Sequence, residues 1–133
     1  MSNNNGFTLI ELMFVLAIVG ILAAIGIPNF ITFRDNAYKC EALELAKPLQ
    51  DDIVEYYGVT GNYPMTNSDL GLSGAELIQG QQVSSMSVAH GVIEIKFQKD
   101  SRIANRIISL QPALIGDSMS GNIIWQYVER AVE

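Results

Sequence analysis

The first third of the chain is dominated by apolar residues, and their pattern predicts an element long enough to cross a membrane. Between Leu12 and Phe33 no side chain carries a charge. These roughly 22 residues would form a helix about 33 Å long, enough to span a hydrocarbon core of about 30 Å. The apolar region of an ordinary secretory signal is shorter, about 7–15 residues. The run therefore predicts a membrane helix, preceded by a short polar leader, residues 1–6.

One acidic residue, Glu11, interrupts the apolar run between Phe7 and Phe33. A carboxylate in a membrane helix costs about 2.5–3.5 kcal/mol near the bilayer centre, so such a residue is a functional candidate. If the leader is removed after Gly6, the new amine of Phe7 lies four residues before Glu11 and can pair with it, or with the same residue of a neighbouring chain. The alternative is an acid held by the helix macrodipole at the helix start.

A second helical pattern follows the apolar run. Apolar side chains recur at steps of three and four residues, which places them on one face of an amphipathic helix; they are Tyr38, Ala42, Leu45, Leu49, Ile53 and Tyr56. Gly58 is the predicted end of this helix. Pro48 lies inside it and predicts a bend, since proline cannot donate to the carbonyl of Glu44. Together the two patterns predict one helix of about 50 residues.

The remainder of the chain changes to period two, which is typical of strands. Alternation is clear in Val92–Gln98, Arg106–Leu110 and Ile123–Val128, and weaker in Val83–Val88. Such an antiparallel sheet has one apolar face that must be covered, and the helical stripe is the available cover. The predicted fold is α+β: a long N-terminal helix packed on a three- to four-stranded antiparallel sheet.

These elements predict three parts of a one-domain chain. Residues 1–6 form a leader peptide, residues 7–33 an anchor and assembly helix, and residues 34–133 a globular head. Within the head, residues 58–82 are rich in glycine and predict a long loop, with a short helical turn near Ala75–Ile78. Residues 83–133 supply the sheet.

Charge and composition limit the partners of the head. The net charge is −6, and the Lys and Arg residues are scattered singly along the sequence. An acidic surface repels phosphate backbones, so no direct binding of nucleic acid is predicted. Attraction to anionic lipid by charge alone is disfavoured for the same reason.

The residues that commonly carry catalysis are few. The chain has one cysteine, Cys40, and one histidine, His90. We expect Cys40 to be a small buried apolar side chain. Asp51 and Asp52 are neighbours on a helix and point to different sides, so they do not form an acid–base pair. No metal-ligand spacing, phosphate loop or other cofactor motif occurs. The sequence predicts no enzyme, no metal and no cofactor.

The segment from Gly6 to Met13 reads GFTLIELM and resembles the processing and methylation motif of type IV pilins and their secretion-system relatives. The resemblance implies cleavage between Gly6 and Phe7 by a prepilin peptidase, and N-methylation of Phe7 by the same peptidase/methyltransferase. It also implies that Glu11 neutralises the N-terminal amine of a neighbouring subunit during assembly. The leader departs from the family because it carries no Lys or Arg.

The same resemblance extends to helix-breaking residues. Gly20 and Pro28 match positions at which similar pilins carry glycine and proline, and the stretch between them, with Gly26, is expected to be able to lose helical form in a filament. The alternative is close helix packing at small residues, including Ala23 and Ala24. The segment from Tyr56 to Pro64 also resembles pilins, where a similar motif closes the long helix. Many pilins close their last loop with a disulfide, which this chain cannot form, because no cysteine follows Cys40.

A pilin would be held in the inner membrane by a single helix before assembly, and would be part of an extracellular pilus afterwards. Its implied partners are copies of itself in a helical filament, the peptidase and the inner-membrane assembly platform. Adhesion, twitching motility and DNA uptake are roles of such filaments. The alternative is a pseudopilin of a type II secretion system, whose major subunit tends to carry an acidic calcium-binding loop. The C-terminal loop here offers only Asp117.

Two other classes of protein are alternatives. One is a soluble periplasmic protein whose apolar run is an ordinary signal, cut near residues 24–26, which would leave no anchor. The other is a membrane-tethered enzyme, for which the sequence offers no set of catalytic residues.

Overall fold

The computed structural model describes residues 6–72, 74, 78–115 and 122–132. The elements in chain order are helix α1 (Leu9–Thr60), a short 3₁₀ helix (Asn67–Leu70) and strands β1 (Val83–Ala89), β2 (Val92–Phe97), β3 (Arg106–Ile115) and β4 (Asn122–Ala131). The predicted helix of about 50 residues is confirmed, since α1 has 52. The chain divides into two compact units, Met1–Asn36 and Ala37–Glu133; we refer to the second as the head.

The four strands form one antiparallel sheet in the order β1-β2-β3-β4. All four predicted strands are present, and β3 and β4 extend beyond the predicted segments. Pro112 lies within β3, where it pairs with Trp125 of β4. The pairing of β3 with β2 ends at Leu110, so beyond that residue β3 has β4 on one side only. A proline is tolerated there because it removes no hydrogen bond to a second neighbour.

The head buries the apolar face of the sheet against α1, as the two periodicities predict. Ile93 and Ile95 of β2 are fully buried, and Phe97 nearly so. The buried residues of α1 are Ala42, Ala46, Leu49 and Ile53, with Tyr38 and Leu45 packed at the margin. Ala46 was absent from the predicted stripe, although it lies four residues after Ala42 on the same face.

Two predictions about the helix were wrong. Gly58 does not end α1, which continues to Thr60. The end comes at Gly61, whose φ of 71° is the left-handed conformation that glycine adopts without strain, and its N–H donates to the carbonyl of Tyr57 at 2.8 Å. Cys40 is exposed rather than buried. It is two residues, about 200°, from both Tyr38 and Ala42, so it lies on the opposite face.

The predicted loop 58–82 contains more structure than its glycines indicate. It begins inside α1 and holds the 3₁₀ helix, whereas residues 75–77 of the predicted turn lie outside the described residues. Asn67 is buried and bonds to β1, an edge strand: its Nδ2 donates to the Met86 carbonyl at 3.2 Å, and its Oδ1 accepts from the Val88 N–H at 2.5 Å. One side chain therefore covers part of the open edge of the sheet.

Candidate processing and assembly site

Gly6, Phe7 and Thr8 precede α1 and lie outside any helix or strand. Gly6 is exposed, and a Cβ added to it would meet nothing within 4 Å. Phe7 is also exposed, with 74% of its surface accessible. The described part of the chain therefore places no steric demand for glycine at position 6, and both Gly6 and Phe7 are exposed.

Glu11 is bonded to Thr8 at the start of α1. Its Oε2 accepts a hydrogen bond from the Thr8 N–H at 2.9 Å and another from the Thr8 hydroxyl at 2.6 Å, and the Glu11 N–H lies 3.4 Å from Thr8 Oγ1. Thr8 is the residue before the first helical position, so the pair forms a capping box. This role was not among the predictions for Glu11, although threonine followed by glutamate three residues later is the sequence signal of a capping box.

The surface of α1 after Glu11 is apolar and uncovered. Its first part is long and apolar enough to cross a membrane, and none of the most apolar stretch is buried within the chain. The large apolar side chains that are more than half exposed between Leu12 and Phe33 are Leu12, Met13, Phe14, Leu16, Ile18, Val19, Ile21, Leu22, Ile25, Ile27, Phe30 and Phe33. A patch of this size on a protein marks a surface that contacts lipid or other protein.

The residues predicted to weaken the helix all lie within α1. At Gly20 and Gly26 an added Cβ would meet nothing within 4 Å. The carbonyl of Pro28 accepts a hydrogen bond from the Thr32 hydroxyl at 3.1 Å. Pro48 is exposed in the head. All of these positions are helical in the single chain. The loss of helix between Gly20 and Pro28 in a filament and the bend at Pro48 therefore stay predictions.

A cluster of charged residues joins α1 to β4 in the head. Lys39 Nζ of α1 lies 2.8 Å from Glu129 Oε2 of β4, Tyr127 donates its hydroxyl to the same carboxylate at 2.9 Å, and Arg106 of β3 also pairs with it. The bond from Lys39, assisted by those from Arg106 and Tyr127, lowers the pKa of Glu129 to about 2. Burial raises the pKa of Tyr127 to about 12, and its bond to Glu129 adds to the effect. The cluster fixes the C-terminal strand to the helix.

Two tyrosines, Tyr57 in the last turns of α1 and Tyr63 just after the helix, pack on each other and on a turn. The rings of Tyr57 and Tyr63 are stacked with centroids 4.6 Å apart. Gly91 in the β1–β2 turn has φ of 77°, and a Cβ there would lie 2.8 Å from the Tyr63 ring. Tyr63 also packs against the buried core. These contacts show that both tyrosines have a packing role.

No group of three or more His, Cys, Asp or Glu side chains in the described part of the chain could hold a metal ion. The arrangement offers exposed apolar surface and a capped acid at the helix start, which suit association rather than catalysis.

Comparisons with known proteins agree with this arrangement. A family model described as the prokaryotic N-terminal methylation motif matches residues 1–27, and one described as pilin (bacterial filament) matches residues 37–131. The chain is 36% identical over 120 residues to a fimbrial protein of Neisseria meningitidis serogroup B, covering 90% of this chain and 70% of that one.

Other relatives carry similar names. A type IV major pilin protein of Neisseria gonorrhoeae is 34% identical over 120 residues, with 90% of this chain and 71% of the relative covered. The fimbrial protein EcpC of Eikenella corrodens is 35% identical over 125 residues, with 91% and 80% covered. The pilins are structural subunits that form filaments of their own copies, not enzymes. Since the pilin family model matches residues 37–131 and the chain covers at least 70% of each of these relatives, the chain belongs to the pilin family.

Proposed function

We propose that this chain is the precursor of a type IV pilus subunit that is cut after Gly6, held in the inner membrane by the first part of α1, and then polymerised through that helix into an extracellular filament. The peptidase that cuts it also methylates Phe7, and an inner-membrane assembly platform moves it from lipid into the fibre. Its relatives named as type IV major pilins and fimbrial proteins support a pilus rather than a secretion pseudopilus.

The observation that carries the proposal is the uncovered, charge-free surface of α1 from Leu12 to Phe33. Exposure of so many large apolar side chains to water is unfavourable by about 25 cal/mol for each Å². Lipid covers this surface in the membrane, and other copies of the helix cover it in a filament. One surface thus serves both states, because each offers an apolar environment.

Glu11 sets the axial position of one helix against the next. Its Oε2 carries both bonds to Thr8, which leaves Oε1 to accept from a second donor. Removal of the leader creates a positive amine on Phe7, and the amine of a neighbouring copy pairs with Oε1 in the filament. An ion pair is stronger in a medium of low dielectric than in water, and an unpaired carboxylate among packed apolar helices is costly. The pair therefore selects the axial offset between neighbours.

The processing step gives the direct test. The full precursor is expressed with its prepilin peptidase, and the N-terminus of the chain is determined by mass spectrometry in membranes and in sheared filaments. We expect filaments built from chains that start at an N-methylated Phe7. Gly6→Leu abolishes cleavage, because a side chain is then placed at the bond that the peptidase cuts, whereas Asn4→Leu, the matched change within the leader, leaves it intact. Normal cleavage of Gly6→Leu, or a wild-type chain that keeps Met1 and never enters a filament, would refute the proposal.

A further inference from the structure

A basic groove lies at the end of the sheet where β2 stops and β3 begins. It is lined by Lys96, Lys99 and Arg106, with one carboxylate, Asp100, and by the apolar side chains of Ile107 and Val132. Lys96 and Lys99 are exposed, and among the described residues neither side chain has an ion-pair partner. These cations are separate in the sequence, and the fold brings them together, because the pairing of Lys96 with Ile107 places Arg106 beside β2.

An acidic groove lies at the C-terminal end of α1. It is lined by Asp52, Glu55 and Asp69, with the apolar side chains of Val59 and Leu70. Asp69 Oδ2 accepts hydrogen bonds from the N–H groups of Met65 and Thr66. Asp52 and Glu55 are exposed, and neither has an ion-pair partner among the residues that the structure describes. Val59 is 83% exposed, so this groove offers both negative charge and uncovered apolar surface.

The two grooves lie at opposite ends of the head along α1. Arg106 of the basic groove pairs with Glu129, which Lys39 of α1 also contacts, so this groove lies beside the first turns of the helix in the head. The acidic groove begins at Asp52 and extends past Thr60. At 1.5 Å per residue, Lys39 is about 20 Å from Asp52 and about 30 Å from Thr60 along the axis. Each head therefore has the basic groove at one end and the acidic groove at the other.

We propose that in the filament the basic groove of one head docks on the acidic groove of a second copy, in line with the helix axis. This contact rests on the proposed function and adds a second set of charges to the pair between Glu11 and the Phe7 amine. Opposite charges in the two grooves attract when heads stack in one direction, whereas heads in opposed directions bring like charges together. A contact between two different patches generates a helical filament when its rotation does not close into a ring, as in the filament proposed for this chain. Val59 and Val132 become buried in it.

The second copy is favoured over a polyanion such as nucleic acid. The chain has 14 acidic residues and 8 Lys and Arg, and its net charge of −6 repels a long chain of phosphates. The acidic groove of a neighbour presents only three carboxylates, those of Asp52, Glu55 and Asp69, and the basic groove presents three cations. A filament also holds that groove at very high local concentration, so weak individual ion pairs contribute to assembly.

Charge reversal tests the contact in the full-length chain. Two double variants reverse the charge of one groove each: Lys96→Glu with Lys99→Glu, and Asp52→Lys with Glu55→Lys. We expect each to lower the yield of sheared filament at least about tenfold, because the facing charges then repel. All four substitutions together restore attraction with the signs exchanged and recover the yield to within about threefold of wild type. Lys47→Glu and Glu44→Lys change exposed charges of α1 outside both grooves and leave the yield unchanged. Trp125 fluorescence of each chain in detergent reports whether its head is folded.

Cysteine pairing provides a second readout. In a Cys40→Ser background, Glu55→Cys combined with Lys99→Cys forms disulfide-linked ladders in filaments after mild oxidation, and either cysteine alone forms none. Any of three results would overturn the proposal. The charge-reversal variants could give the same filament yield as the controls, the variant with all four substitutions could fail to recover the yield, or the double-cysteine filaments could form no ladders. Heparin serves as a polyanion probe. If the variant Lys96→Glu with Lys99→Glu forms normal filaments that no longer bind heparin, the basic groove binds an anionic ligand instead of a second copy.

The outcomes separate this contact from the function on which it rests. Wild-type filaments of chains beginning at Phe7, together with unaffected reversal variants, would overturn the groove contact and leave the proposed function in place. A wild-type chain that keeps Met1 and stays out of filaments would overturn both.

Discussion

Thr8 and Glu11 close the first turn of α1 on each other, with one carboxylate oxygen accepting both the N–H and the hydroxyl of Thr8. Glu11 therefore has two separable roles, because a capping box needs a hydrogen-bond acceptor, whereas pairing with an amine needs a negative charge. The other oxygen of the carboxylate, Oε1, is the one that the proposed contact with a neighbouring Phe7 uses.

Substitution can separate these roles. Glu11→Gln keeps a residue that completes a capping box but removes the charge, so we expect normal cleavage and membrane insertion with at least about a tenfold loss of sheared filament. Thr8→Val removes the hydroxyl and weakens the helix start by about 1 kcal/mol, and filaments persist. Quantification of subunits in sheared and membrane fractions checks both. If instead Glu11→Gln forms filaments and Thr8→Val forms none, Glu11 acts in assembly through the capping box and not through its charge.

A second prediction concerns the edge of the sheet, which Asn67 covers. Asn67→Ala leaves the Met86 carbonyl and the Val88 N–H without their partner, which costs about 1–3 kcal/mol in the free energy of unfolding. Hydrogen exchange of the peptide that contains residues 84–89 should accelerate, since the Val88 amide is no longer bonded. Asn62→Ala is the matched control, because the side-chain amide of Asn62 bonds, among the described residues, only to the nearby Thr60 carbonyl. Unchanged exchange in Asn67→Ala would show that the side chain does not protect this edge.

The sequence was sufficient for the features that depend on local periodicity. The three- and four-residue steps identified most of the face of α1 that packs on the sheet, and the alternation through Ile93 and Ile95 identified the buried face of β2. The apolar run and its single acid also pointed to the right family. These signals are local because each helix or strand repeats its orientation every few residues.

The features that sequence reasoning missed depend on residues distant in the chain. Lys39 and Glu129 are 90 positions apart, and only the packing of β4 beside α1 brings them together. The basic groove likewise needs the register that places Lys96 beside Ile107. The end of α1 was misplaced for another reason: Gly58 and Gly61 both suit a helix end, and the choice depends on which one must adopt a positive φ.

The contact between Lys39 and Glu129 predicts how head stability depends on pH. The pKa of Glu129 is lowered to about 2 in the folded chain, from an ordinary value of 4.5, chiefly by its bond from Lys39. A carboxyl whose pKa is depressed by folding stabilises the fold above its unfolded pKa, and loses that contribution as the pH falls from about 4.5 towards about 2. Glu129→Gln should therefore lower the free energy of unfolding by about 1.5–3 kcal/mol at pH 7, and the difference from wild type should shrink over that range of pH.

Denaturant unfolding of the full chain in a non-ionic detergent measures this difference, and the single tryptophan, Trp125, reports it from the same strand as Glu129. Glu44→Gln is the control, because Glu44 is exposed on α1 and has no ion pair among the described residues. Its stability should match wild type at each pH. A difference between wild type and Glu129→Gln that stays constant from pH 7 to pH 2 would mean that the carboxylate charge does not stabilise the head, because protonation of Glu129 in wild type removes that charge as the substitution does.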